Sequence, residues 1–413
     1  MAIRRPLVRV GGRVQQLPPG DSLPGAEGSA LTGDLAYSVD PARYALPDWL
    51  PCDGALVDNA DAPESLQPYM ARASGVDFSA GGTIESTSAA PQGVFDMLGD
   101  YALMQMGASP YAIPLKKNDV GYSYLRESFG ANPSAALKCA ALGMTTVNFP
   151  CVLGFTTSAG GAFFARGISS TWSVSNVASL FTGKTVAGVV FCADGRFYLL
   201  SSTAPYLHSV QSDVNVASSL VDVGGVGANG AGLCISPNKR YMVSWHNTTP
   251  YIYVLEFDGT KYVPLGSPPI STSGTSTFNR VEVSDTGVIV ARTGSGSVFY
   301  VCSVTPTGAV GSMVQTTVNT ASAWGLMPDG RHLLTWVSNA ANYYPIANDT
   351  IGAGTALSMY STGIYGTLYG RFGLIPGRLL AASSAAGSGY AMVGEVTPSG
   401  WIAPRIRYGF LKA

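Results

Sequence analysis

Charge is scarce in this sequence. Asp, Glu, Lys and Arg make up 12% of its 413 residues and sum to −1 at neutral pH. A balance that weak gives no general attraction to nucleic acid or to an anionic bilayer, so no nucleic-acid partner is expected. Lysine is scarcest among the cations, seven against seventeen arginines. No run of about 18 apolar residues occurs, so no membrane insertion is expected. Met1-Ala-Ile-Arg-Arg-Pro6 lacks the apolar core of a signal peptide, which predicts a product made in the cytoplasm of the producing cell.

Sustained apolar periodicity of 3.6 residues is nearly absent, which excludes a helical protein. In its place stand 50 glycines and 26 prolines with abundant Ser, Thr and Tyr, a composition for many short strands and tight turns. The stretch from Gly232 to Leu265 shows the unit. Gly232-Leu-Cys-Ile-Ser236 is an apolar strand, and Pro237-Asn-Lys-Arg240 is a turn. Tyr241-Met-Val-Ser-Trp245 is a second strand, with Tyr241, Val243 and Trp245 on one face. Tyr251 to Phe257 is a third, stopped by Asp258-Gly259. Lys261 to Leu265 is a fourth, and its Pro264 belongs on an edge.

The unit recurs. Its first turn returns as Asp194-Gly-Arg, Asp285-Thr-Gly, Asp329-Gly-Arg and Pro376-Gly-Arg, with weaker copies at Leu98-Gly-Asp and Ala141-Leu-Gly. Anchored on Gly99, Gly143, Gly195, Lys239, Gly287, Gly330 and Gly377, the spacings are 44, 52, 44, 48, 43 and 47 residues. Four strands per period of roughly 40–50 residues predict an all-β fold, a seven-bladed β-propeller. Hairpins of a β-sandwich are the alternative. The runs Ile235–Val243 and Leu326–Leu334 resemble WD-type and YVTN-type propeller repeats, although the Trp-Asp dipeptide is absent. That resemblance implies a fold and no particular chemistry.

The organisation expected is an extended N-terminal docking arm with short strands over 1–73, followed by the propeller over 74–413. Residues 71–90 are polar and Gly/Ser-rich, and the boundary is placed there. A propeller closes by pairing one end of its array with the other; Gly82–Thr87 or the alternating Trp401–Phe410 tail is expected to do so. In the arm, four arginines fall within the first thirteen residues, and Leu7–Val10 and Arg13–Leu17 form two short strands about Gly11-Gly12.

Two stretches of the arm carry a further resemblance. Val8-Arg-Val-Gly-Gly-Arg-Val-Gln-Gln-Leu-Pro-Pro-Gly-Asp-Ser-Leu-Pro24 resembles the segment near the start of many tailed-phage structural proteins. There it leads from a virion-docking arm into a fibre or appendage. Asp48-Trp-Leu-Pro-Cys-Asp-Gly54 resembles the phage tail-collar motif, whose usual continuation is replaced here by Asp58–Met70. The resemblance implies a tail or appendage component of a virion, synthesised in the host cytoplasm. Virion docking is assigned to Arg4, Arg5, Val8, Arg13, Leu17, Trp49 and Leu50. The partners implied are other virion proteins, a host-surface glycan or protein, and further copies of the chain in a homo-oligomer such as a trimer. A decoration protein that only stabilises the particle is an alternative.

Chemistry is sparse. The histidines at 208, 246 and 332 share no metal-ligand spacing, and the cysteines at 52, 139, 151, 192, 234 and 302 form no CxxC pair. Cys192, Cys234 and Cys302 lie in apolar runs, where a thiol acts as a small hydrophobe. No GxSxG elbow or phosphate loop occurs. Asp194, Asp258, Asp285 and Asp329 sit in turns, where Asp shapes backbone; Asp96, Asp119, Asp213, Asp222 and Glu282 are isolated. No catalytic residue, metal or cofactor is assigned, and the chain is expected not to be an enzyme. The alternative is a glycan-degrading depolymerase with two acids gathered at the propeller mouth. Host-surface contact is assigned to Tyr360, Tyr365, Tyr369 and Arg371, because Tyr among glycines on loops makes low-entropy contacts.

Overall fold

The structure, a computed structural model, describes short strands within residues 7–83, most of residues 91–357, and strands within 370–412. Side chains are described between residues 93 and 356, apart from several short stretches.

The chain is all-β and folds as a β-propeller. Among the described residues, seven successive sheets carry four or more strands. Their first strands are Pro91–Leu98, Leu137–Met144, Val186–Phe191, Gly230–Ile235, Phe278–Val283, Ala323–Leu326 and Gly373–Ile375. Each lies beside the next, and Gly373–Ile375 lies beside Pro91–Leu98, so the first strands form a closed cycle about an axis. Within each sheet the strands then step outward as antiparallel hairpins.

The fourth sheet shows why these residues make this unit. Its strands are Gly230–Ile235, Tyr241–His246, Ile252–Phe257 and Tyr262–Pro264, with Pro264 on the outermost strand as its missing N–H requires. Alternation assigns the two faces to two neighbours. Tyr241 and Val243 pack with Phe278, Val281 and Ile289 of the fifth sheet. Met242 and Leu255 pack with Tyr198 and Leu200 of the third. Each fully buried side chain of this kind contributes roughly 1.5–3 kcal/mol. The outermost strands Val221–Asp222 and Val314–Thr317 are largely exposed.

Close approach of the sheets needs small residues on the first strands. At Gly188 an added Cβ would sit 2.5 Å from the Leu233 backbone nitrogen. Gly143 corrects the sequence reading: it lies within Leu137–Met144, not in the first turn, which falls at residues 145–149. A Cβ there would meet the Phe197 ring at 2.6 Å, so the glycine serves packing between the second and third sheets.

The ring closes through strand exchange. Tyr390–Ile402, the third strand of the seventh sheet, pairs antiparallel with Ala71–Thr83, from Thr83↔Met392 to Ala71↔Ile402. Leu56–Val57 joins the end of the same strand. The stretch read from composition as a polar boundary is therefore a 13-residue strand at its start, because main-chain pairing is indifferent to side-chain polarity. A separate three-stranded sheet sets Leu35–Tyr37 and Trp49–Asp53 on either side of Arg405–Lys412. Leu7–Val10 and Arg13–Gln16 form the expected hairpin.

Candidate functional site: the axial channel

The ends of the first strands surround a partly open channel lined by residues of the first six sheets. Among the described residues, three charged side chains reach it: Asp96, Lys239 and Glu282. The two carboxylates bracket neighbouring sheets. Asp96 Oδ2 accepts from the Leu142 N–H at 2.9 Å, and its Oδ1 from its own neighbour Met97 at 2.9 Å. Glu282 Oε2 accepts from the Leu326 N–H at 2.6 Å. Its Oε1 pairs with Arg280, whose guanidinium lies 4.5 Å from the centre of the Trp324 ring. An N–H hydrogen-bonded to a carboxylate is a strong bond, so these groups tie first strand to first strand.

Lys239 stands out by its backbone. The corresponding turns carry glycine at φ +75° (Gly195), +82° (Gly287) and +71° (Gly330); here a lysine adopts φ +63°. A side chain in that region costs about 1 kcal/mol or more relative to glycine. The turn is held nevertheless. The preceding Asn238 N–H donates to Asp285 Oδ1 at 2.7 Å, and the Lys239 carbonyl accepts from the Tyr262 hydroxyl. The ammonium sits 4.0 Å from the centre of the Phe191 ring. Burial lowers its pKa, and Asp96 is the largest of the charges opposing that shift.

The repeated turns use their acids as the sequence suggests, with one exception. Asp194, Asn238 and Asp329 each accept, through Oδ1, the N–H two residues on, at 3.2, 3.0 and 2.9 Å. Asp258 accepts from Thr260 and Lys261 at 2.8 and 2.9 Å, and these bonds hold its carboxyl below the usual range. Asp285 differs. It is 5% exposed and spends its carboxyl on the turn of the fourth sheet. Burial raises its pKa to about 7, helped by Asp329 and opposed by the Asn238 N–H. On its other side the Asp285 N–H donates to the Pro328 carbonyl at 2.8 Å, and Thr286 Oγ1 to the Asp329 carbonyl at 2.9 Å. Successive turns are thus stitched together.

The histidines are structural. His208 is fully buried between Asp222, 2.6 Å from Nδ1, and the Lys184 amine, 3.3 Å from Nε2. His246 contacts Ser244 Oγ at 3.1 Å and the Ala228 carbonyl at 2.9 Å. That Ser–His pair is sealed in the fourth sheet, with Ser244 0% and His246 1% exposed, so no substrate reaches it. His332 stacks on Tyr343 at 4.1 Å, and burial, reinforced by Arg331, pushes its pKa down to about 4. Cys151, Cys192, Cys234 and Cys302 are buried. Burial pushes the Cys139 thiol up to about 12 and raises Cys151, Cys192 and Cys302 as well, far from a reactive thiolate. No cluster of His, Cys, Asp and Glu that could hold a metal occurs among the described residues.

The described residues among those assigned from sequence are not part of the channel lining. Val8 and Arg13 lie in the N-terminal hairpin. Trp49 and Leu50 pair with Lys412 and Leu411, so these anchors meet the C-terminal strand of their own chain. Arg371 pairs in parallel with Trp324 on the sixth sheet. Arg4, Arg5, Leu17, Tyr360, Tyr365 and Tyr369 lie outside the described residues. Asp96 and Glu282 look isolated in sequence, 186 positions apart by their numbers, yet the ring brings both to one channel with Lys239. The one signal for the site is a lysine where the repeat asks for glycine.

No family model matches the chain, and no curated protein does. Among solved structures it is similar to Raptor from Chaetomium thermophilum, with a TM-score of 0.52 and 10% identity over 82% of this chain. The chain spans 31% of that protein's length. It is also similar to virginiamycin B lyase from Staphylococcus aureus (TM-score 0.47, 10% identity, 77% of this chain and 99% of that one). The Dos1 propeller scores 0.48 at 11% identity, covering 78% of this chain and 95% of that one. At such identities the likeness concerns the fold alone.

Proposed function

We propose that the chain is a structural protein of a tailed-phage virion that docks through its N-terminal arm and displays a seven-bladed propeller for contact with the host surface. It binds and does not cut. The observation that carries this reading is the small sheet in which Leu35–Tyr37 and Trp49–Asp53 flank Arg405–Lys412. That sheet lies outside the four-stranded repeats and ties part of the arm to the C-terminal strand, while Leu56–Val57 joins the seventh sheet; its separateness supports a docking role. The phage-like wording of Val8–Pro24 and Asp48–Gly54 supplies the virion context. Binding without cleavage is supported by the turn carboxylates: each described one bonds main-chain N–H groups, a role that repeats from sheet to sheet. A glycan-cleaving pair must instead hold one protonated and one ionised acid about the scissile bond.

The test is incorporation. Particles purified from a lysate of the producing strain are expected to contain the full chain by mass spectrometry. A variant lacking residues 1–60, which keeps Ala71–Thr83, is expected to fold and to be missing from the particles. Full incorporation of the truncated chain, or absence of the intact one, refutes the reading.

A further inference from the structure

We propose that the mouth of the axial channel is a binding site for a hydroxylated monocarboxylate, a uronic-acid type sugar unit, anchored by the Lys239 ammonium. It deepens the host-surface reading above and rests on it for the source of the sugar, an acidic surface glycan.

Three observations converge on Lys239. Its backbone is held at φ +63° where the equivalent turns carry glycine, so a side chain is kept there against local preference. Its amine is swung over the Phe191 ring into the channel, not out to bulk solvent. Among the described residues that amine makes no ion pair and donates no hydrogen bond; the aromatic face is its contact. An ammonium with three donors, partly desolvated and held over an aromatic face within the field of Asp96, can still receive an anion.

The rest of the lining selects among anions. Asp96 and Glu282 flank the same space. Their carboxylates repel a dianion such as phosphate about twice as strongly as a monoanion, and each oxygen keeps a second lone pair that can accept from a hydroxyl group. Phe95, half-buried in the lining, supplies apolar aromatic surface, on which the C–H face of a pyranose packs. One carboxylate to meet Lys239, several hydroxyls to meet the acids and a flat apolar face together describe a sugar acid.

The experiment uses the full chain with D-glucuronate as probe, and D-glucose and inorganic phosphate as controls, read by isothermal titration and by thermal shift. Glucuronate is expected to bind saturably, with glucose and phosphate each at least about tenfold weaker. Two variants separate binding from folding. Lys239→Gly suits the left-handed turn, and Lys239→Met keeps a stem over Phe191 without the charge. Both are expected to weaken glucuronate at least about tenfold, with the glycine variant's Tm unchanged or raised. No saturable glucuronate binding, phosphate binding as tightly, or binding undiminished in Lys239→Met overturns the proposal. A fall in the glycine variant's Tm without change in glucuronate affinity also overturns it, giving Lys239 a purely structural role opposite Asp96. Glucuronate binding by a chain that never attaches to host cells refutes the host-surface reading and leaves the channel site standing. Attachment without glucuronate binding does the reverse.

Discussion

Neighbouring sheets of this ring are joined in two different ways. The fifth sheet is built from consecutive residues, Phe278 to Thr317, and meets its neighbours through packing and a few hydrogen bonds between turns or first strands. The seventh sheet is composite: its strand Tyr390–Ile402 is completed by Ala71–Thr83 from the far end of the sequence. Where sheets are local, single side chains such as Asp285 and Glu282 act as clips. At the seam, a whole main-chain ladder does the joining, and the entropy of closing a loop of more than three hundred residues is offset by its length.

The largest effect should come from breaking the seam. Removing residues 1–84 strips Ala71–Thr83 from Tyr390–Ile402 and opens a long edge. A fall in Tm on the order of 10 °C with broadened unfolding is expected by calorimetry, since each kcal/mol lost moves Tm by a few degrees. Unchanged unfolding would mean that the ring does not depend on strand exchange.

Next come the clips. Asp285→Ala leaves the Asn238 N–H without its acceptor, which should cost about 1–3 kcal/mol at pH 5 in urea denaturation. An equal cost for Asp194→Ala, whose bonds stay within its own sheet, would erase the distinction between clip and turn.

A clip with a shifted acid also makes stability depend on pH. Asp285 titrates near 7 when folded against 3.8 ordinarily. Between those values the folded chain holds a proton that the unfolded chain has lost, so stability from this group falls as pH rises from 3.8 to 7. His332 acts in the opposite sense. Its pKa drops from 6.5 to about 4 on folding, so its contribution rises with pH across that window. The two slopes oppose each other. Asp285→Asn should therefore leave stability rising from pH 4 to 6.5, and His332→Phe, which keeps the stack on Tyr343, should leave it falling. Urea midpoints at several pH values check both, and two flat profiles would contradict the shifts. The smallest effect is expected for Asp194→Ala, about 1 kcal/mol or less.

These contrasts explain what the sequence discloses. Sheets three to six were legible because their hairpins are local and marked by Asp-Gly, Asp-Thr-Gly or Asn-Lys turns followed by an apolar strand, as at Asp194 and Asp329. Gly143 misled because glycine serves close packing as readily as turning. The seam was only half legible, since Ala71–Thr83 is polar and Gly/Ser-rich and its pairing is made by main chain. The channel was not legible at all. Asp96, Lys239 and Glu282 become neighbours only when the first strands close into a ring, and no spacing along a chain encodes that.

Whether the propeller binds or cuts is tested most directly by chain length. Purified protein is incubated with polysaccharide extracted from the host surface, and the size distribution is followed by gel filtration. The polymer is expected to co-elute with the protein and keep its length at every time point. Progressive shortening, abolished by Asp96→Asn or Glu282→Gln, would contradict the binding reading and make the channel an active site.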